Sequence, residues 1–252
     1  MQTQFTGKDN IMESVAFICC VSDKKLFDAC CGHIHVLDKT GFQFEVIPVF
    51  SKDSLPAAYN RGMIKTRAKY KIYLHQDTFI LDVNFLHHIN NIFKINPGIG
   101  MIGMMGGRYL HIDSNPMLVW DCRESWGSIF HYAHQRIDQR LNPTGAYDWV
   151  NFIDGCIMAT QYDIPWREDI LRGFHFYDLS QSLEFWKKGY AVVVPRQETP
   201  WVAHIAASGV TWPDYDMLRK IFIREYHQYL LPSAPKRNAR LVSHNGKRYR
   251  FK

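Results

Sequence analysis

The sequence predicts an α/β fold: a mostly parallel central sheet flanked by helices, in a single domain. Three observations predict it. Ser14 to Val21 (SVAFICCV) is an unbroken apolar run, the pattern of a strand buried on both faces. Apolar runs of this kind then alternate with helical stretches as far as Gly107, which is the order that generates a parallel sheet. Finally, the short strand Tyr70 to Leu74 runs into His75-Gln76-Asp77, a carboxylate at a strand's carboxyl end, where open α/β sheets bind ligands.

The elements follow in order. The first strand ends at Ser22-Asp23, a turn and cap signal, and Lys24 to Leu37 reads as a helix. Phe42 to Phe50 (FQFEVIPVF) is the second strand, closed by Ser51-Lys52-Asp53-Ser54. Leu55 to Ala68 is helical, with Pro56 near its start, where proline is tolerated. After the third strand, Asn84 to Ile95 is a helix stopped by Asn96-Pro97-Gly98. Ile99 to Met105 is a fourth strand, followed by Gly106-Gly107. Tyr109 to Gly145 is mixed in polarity and predicts long loops or a short antiparallel excursion. Val150 to Thr160 (VNFIDGCIMAT) returns to a strand pattern, Phe174 to Asp178 leads into a helix over Leu179 to Lys188, and Ala191 to Val194 is a short strand. Asp214 to Leu231 is an amphipathic helix with Leu218, Ile221, Phe222 and Tyr226 on one face.

Length and composition narrow the classes. A chain of 252 residues can bury a full core without splitting into two domains. No stretch approaches the roughly 20 apolar residues that span a bilayer. The start, Met1 to Asn10, lacks the apolar core of a signal peptide, so a cytoplasmic location is expected. The six cysteines show no Cys-x-x-Cys spacing, which fits reduced thiols better than a zinc ribbon or a disulfide framework.

The net charge of +6 is uneven: seven basic and no acidic residues lie between Lys236 and Lys252, leaving the remainder near neutral. Three parts result: an N-terminal extension (1–13), a body (14–235) and a basic tail (236–252). The tail could bind anionic lipid at the inner face of a membrane, an anionic acceptor or a partner subunit, a second copy included. A solvated tail that only aids solubility is the alternative. The body carries no basic stripe, so no nucleic acid partner is expected.

Taken together, the landmarks resemble the family 2 glycosyltransferases and their relatives with the glycosyltransferase A fold. The order carries the resemblance: VAFICCVSD, then FEVIPVFSKD ending in an acidic turn, then the helix AAYNRGM. His75-Gln76-Asp77 follows where the family has Asp-x-Asp, then FIDGCIMAT, FHFYDLSQSLEF and the histidine of WVAHIAASG. The match spans about Ser14 to Gly209, and the His-Gln-Asp variant looks like a bacterial subgroup.

The resemblance implies a Rossmann-like nucleotide-binding half (14–107) and an acceptor half (108–235). It implies a metal-dependent, inverting transfer of a sugar from a nucleotide-diphosphate donor, UDP-sugar favoured, to a glycan or lipid-linked acceptor, as in bacterial surface polysaccharide synthesis. Asp77 and His204 would hold a divalent metal, Mn2+ or Mg2+, which neutralises the charge developing on the diphosphate leaving group. Ser22, Asp53, Asn60, Arg61 and Gln76 are placed on the nucleotide side. Asp178 falls where the family has its base, which takes the proton of the acceptor hydroxyl. Asp154 is a second carboxylate, expected on the acceptor or sugar, and Glu168 and Asp169 are substitutes for the base.

Each residue has a plainer reading: Asp77 a turn, His204 a buried histidine bonded to a carbonyl, Asp178 the N-cap of the helix from Leu179. His75 replaces a carboxylate, which leaves its contact, metal or sugar or ribose, open. Two other functions fit the same residues: a catalytically silent relative that binds a nucleotide or glycan, and a nucleotidyltransferase. Ser22-Asp23-Lys24-Lys25 lacks the glycine that the latter's phosphate loop needs.

Overall fold

A computed structural model describes residues 12–51, 54–112, 124–205, 214–231, 241–242 and 248–249. The first strand, β1 (Glu13–Val21), shows why the chain folds as it does. Its alternate side chains enter two different cores. Val15, Phe17, Cys19 and Val21 pack on one face, and Ala16, Ile18 and Cys20 on the other. Full burial of side chains this size stabilises by roughly 1.5–3 kcal/mol each, so β1 is fixed at the centre of a two-faced sheet.

The remaining elements are α1 (Lys24–His35), β2 (Phe42–Phe50), α2 (Leu55–Met63), β3 (Tyr70–His75), β4 (Thr78–Ile80), α3 (Phe85–Ile95), β5 (Ile99–Gly103) and β6 (Met105–Gly107). Then come β7 (Ser125–His131), β8 (Arg136–Gln139), β9 (Tyr147–Val150), β10 (Phe152–Ile153), β11 (Ile157–Thr160), α4 (Tyr177–Lys187), β12 (Ala191–Pro195), β13 (Val202–His204) and α5 (Tyr215–Tyr226). The main sheet has seven strands in the order β2-β1-β3-β11-β5-β12-β9. β2, β1, β3, β5 and β12 run one way, and β11 and β9 oppose them. The mostly parallel sheet expected from the sequence is therefore present.

The second half departs from the sequence reading. Ile99 to Met105 is not one strand: the chain leaves the main sheet after Gly103 and enters a second sheet at Met105. Val150 to Thr160 likewise divides at the turn Asp154-Gly155-Cys156. The second sheet, β10-β6-β7-β13-β4 with β8 beside β7, joins the parts of those two runs, β6 and β10, to the antiparallel pair β7–β8 within 109–145, the excursion expected there, and to β4 and β13, which the sequence did not show as strands. Helix α2 ends at Met63 rather than Ala68.

Glycine explains one close contact. A Cβ on Gly62 would lie 2.2 Å from the Ile18 Cγ2, so α2 reaches β1 only because residue 62 has no side chain. A third cluster, with Leu171, Phe176, Leu183, Leu218, Phe222 and Tyr226, joins α4 to α5. Among the described residues no helix is long and apolar enough to cross a membrane. The tail is described only at two short strands, Leu241–Val242 and Arg248–Tyr249, and the calls on its charges lie otherwise outside the described residues.

Candidate metal and nucleotide site

The site grows from the carboxyl end of β3. His75 is the last residue of that strand, and Asp77 stands two residues on, just before β4. β13 pairs antiparallel with β4, placing His204 opposite Thr78, and the Ile205 amide donates to the Asp77 carbonyl at 3.0 Å. A histidine 127 positions downstream is thus delivered to Asp77 by backbone pairing.

Three ligand atoms converge there. The His204 Nε2 lies 3.4 Å from the Asp77 Oδ1, the His75 Nδ1 lies 3.4 Å from the His204 Nε2, and the His75 Nδ1 lies 3.9 Å from the Asp77 Oδ1. The nearest point equidistant from these atoms, in their common plane, is about 2.1 Å from each, the length of a bond from a divalent cation to imidazole or carboxylate. The donor set therefore fits a divalent cation, with His75 as a third member beside Asp77 and His204.

The three groups shift one another electrostatically. Burial pushes the Asp77 carboxyl up, but the hydrogen bond and charge of His204, with His75 behind it, more than reverse this and leave it below the ordinary range. Burial pushes His204 down, and Asp77 pulls it above the usual imidazole value. His75 is held below that value, by burial first and then by His204. The shift of His75 favours the neutral imidazole that ligates metal, whereas His204 would have to release its proton to a bound cation.

The second carboxylate group lies beside it. Asp154 occupies the turn between β10 and β11, accepting from the Cys156 amide at 3.0 Å. Asp178 is the second residue of α4, and its carboxylate accepts from the Leu179 amide at 2.9 Å. Its pKa is pushed up to about 7, mainly by burial and then by the Asp154 charge, against the backbone amides of Leu179 and Gly155 that favour the anion. The capping reading of Asp178 is corrected: the N-cap is Phe176, with no side-chain cap bond, and a left-handed φ of 64°. Such a conformation costs a phenylalanine of order 1–3 kcal/mol; stacking on Phe222 with ring centroids 5.3 Å apart holds it.

The nucleotide-side residues divide. Ser22 and Gln76 meet at the ends of β1 and β3. The Gln76 Oε1 accepts from the Ser22 and Asp23 amides at 2.8 Å each, and its Nε2 donates to the Ser22 Oγ at 2.9 Å. Gln76 thus shapes the β1–α1 turn rather than presenting a free amide. Arg61 is exposed on α2. The expectation that Asn60 turns to the ribose or pyrophosphate does not match its geometry: its amide donates to the Trp166 carbonyl and the Glu168 carboxylate and accepts from the Trp166 amide. It clamps Trp166 and Glu168, and both of its amide hydrogens are committed there. Asp53 lies outside the described residues. Glu168 is held by Asn60, and Asp169 is paired with Arg167 and lowered by that bond.

Sequence reasoning left the contact of His75 open and did not find Tyr177. His75 had a signal: it precedes Asp77 by two residues, the spacing that puts strand side chains on one face. Tyr177, whose Oη lies 2.5 Å from the His75 Nε2, had none beyond its neighbour Asp178. A groove of about 940 Å³ between Leu81, Ile92, Ile95, Phe130 and Trp201 lies at the far end of β4 and β13 and contains none of these groups.

Comparison with known proteins now bears on the site. A family model described as "Glycosyltransferase like family" matches residues 16–226. The chain belongs to this family. No curated protein sequence matches it. Among solved structures, GalNAc-T7 crystallised with UDP, GalNAc and Mn2+ aligns with a TM-score of 0.58 at 12% identity, covering 87% of this chain and 48% of that one. This chain thus spans about half the length of that protein, and the likeness places it in the glycosyltransferase A fold. A Drosophila β1,4-galactosyltransferase 7 mutant with manganese, UDP-Gal and xylobiose aligns at 0.49 and 14% identity, covering 82% of this chain and 80% of that one. A mannosyltransferase from Pyrobaculum calidifontis with GDP-Man and Mn2+ aligns at 0.45 and 13%, covering 86% and 62%. The last two scores are too low to bear on the fold.

Proposed function

We propose that this glycosyltransferase moves a sugar from a nucleotide-diphosphate donor to a hydroxyl acceptor, with inversion, using a divalent cation at His75, Asp77 and His204. The single observation that carries the reading is the triangle of three ligand atoms with a common distance of about 2.1 Å, at the carboxyl end of β3. The bound cation would neutralise negative charge on the diphosphate leaving group. Manganese and a uridine diphosphate sugar are the favoured pair, because the structure aligned at 0.58 holds UDP and Mn2+. The donor would lie over the 14–107 half, with the Ser22–Gln76 turn at its edge. The acceptor, a glycan or lipid-linked glycan of the kind found in bacterial surface polysaccharides, would enter from the 108–235 half.

Asp178 would serve as base. A carboxyl raised to about 7 is substantially ionised at neutral pH yet basic enough to take a hydroxyl proton as the acceptor oxygen attacks. Asp154 would hold the acceptor or donor sugar and, by its charge, keep Asp178 basic.

The test is calorimetry of Mn2+ with uridine diphosphate, followed by donor hydrolysis with a panel of nucleotide sugars. The parent protein should bind the mixture and release nucleotide diphosphate. Asp77→Ala should lose both. Unchanged affinity in Asp77→Ala would overturn the metal assignment, and binding without turnover of any donor or acceptor would favour a silent nucleotide-binding relative.

A further inference from the structure

The metal ligands and the proposed base are joined by one side chain. Tyr177 precedes Asp178 in α4, and its Oη lies 2.5 Å from the His75 Nε2. The other ring nitrogen of His75, Nδ1, faces Asp77 and His204. The contact is built from both sides. The Tyr177 ring is buried, within 6.0 Å of the His75 ring and packed against Tyr59 and Trp166. Residue 155 is glycine, and a Cβ there would lie 2.0 Å from the Tyr177 Oη. Any larger residue would drive the hydroxyl away.

An imidazole can give its lone pair to a cation through Nδ1 only if the proton sits on Nε2. That proton needs an acceptor, and the phenol oxygen of Tyr177 is the atom in reach. The role of such outer partners is to fix tautomer and ring orientation, and their loss typically costs 10–100-fold in metal affinity.

We infer that Tyr177 is a positioning residue that sets His75 to ligate the divalent cation through Nδ1, and that Gly155 is the opening that admits its hydroxyl. This rests on the metal reading of the His75, Asp77 and His204 cluster. It adds that cation binding is felt at the start of α4, one residue from Asp178. The His-Gln-Asp motif is then complete only with a tyrosine about a hundred residues later.

The test uses the full chain with Mn2+ and uridine diphosphate as the probe. Tyr177→Phe keeps the ring packing and removes the acceptor oxygen; Gly155→Ala is the independent second variant. Mn2+ affinity, by titration of the free-ion electron paramagnetic resonance signal, should fall about 10–100-fold in both. Pulsed resonance should find two manganese-bound imidazoles in the parent, one in His75→Ala, and an altered or missing second imidazole coupling in Tyr177→Phe. Circular dichroism and melting of Tyr177→Phe should match the parent. Parental affinity and couplings in Tyr177→Phe, with affinity lost in Asp77→Ala, would overturn the inference and leave the metal site standing. A single imidazole in the parent would also overturn it. Unchanged affinity in Asp77→Ala would remove both readings.

Discussion

Replacing Asp178 by asparagine separates its chemical role from its structural one. The fold raises this carboxyl from 3.8 to about 7, chiefly by burial, with Asp154 second. A rise of about three pH units at about 1.4 kcal/mol each is about 4 kcal/mol. The direction follows from linkage. Between about pH 4 and pH 7 the folded protein holds this proton more tightly than the unfolded chain does. The group's stabilising contribution is therefore complete below about pH 4 and is lost as pH rises through about 7. Asparagine does not ionise, keeps an oxygen for the Leu179 amide, and should remove that slope.

Relative to the parent, Asp178→Asn should gain up to about 4 kcal/mol between pH 4 and pH 8. That corresponds to a melting temperature higher by roughly 10 °C at the alkaline end. Turnover should fall about 10²–10⁴-fold, the usual share of a general base, with donor affinity little changed. The parent's rate should rise with pH through about 7, and the residual rate of the variant should not. Chemical denaturation at five pH values and initial rates over the same range are the assays. A variant destabilised equally at every pH would refute the burial argument, and a parental transfer rate would move the base elsewhere, with Asp154 the first to test.

Three further outcomes are expected. Gly62→Ala should cost about 1–3 kcal/mol in urea unfolding, because its methyl would sit 2.2 Å from the Ile18 Cγ2 in a packed core; parental stability would show that α2 can lift from β1 freely. Asn60→Ala should cost about 1–3 kcal/mol by leaving the Trp166 amide unpaired, the Trp166 carbonyl keeping the Glu168 amide, while nucleotide affinity holds; a selective loss of nucleotide binding would return Asn60 to the ligand. Truncation after Pro235 should leave the melting temperature unchanged and weaken pelleting with anionic vesicles, and a cooperative loss of stability would show that the tail packs on the body.

The sequence by itself determined the first half of the fold and the place of the site. β1, β2 and β3 are largely apolar runs of strand length bounded by polar turns, and for β1 and β3 burial on both faces leaves few alternatives. It also determined that a carboxylate follows β3, since that depends on adjacency along the chain alone. The second sheet was largely illegible because, β7 apart, its strands are two to four residues long, as at Thr78–Ile80 and Val202–His204, too short for a period to register. The tertiary structure decided how the groups meet. The pairing of β13 with β4 carries His204 to Asp77, and the missing side chain at Gly155 admits Tyr177 to His75. It also gave the Asn60 amide to Trp166 and Glu168 and raised Asp178. These outcomes depend on distances between segments far apart in the chain and on the water excluded where they pack, and neither quantity is carried by the order of residues.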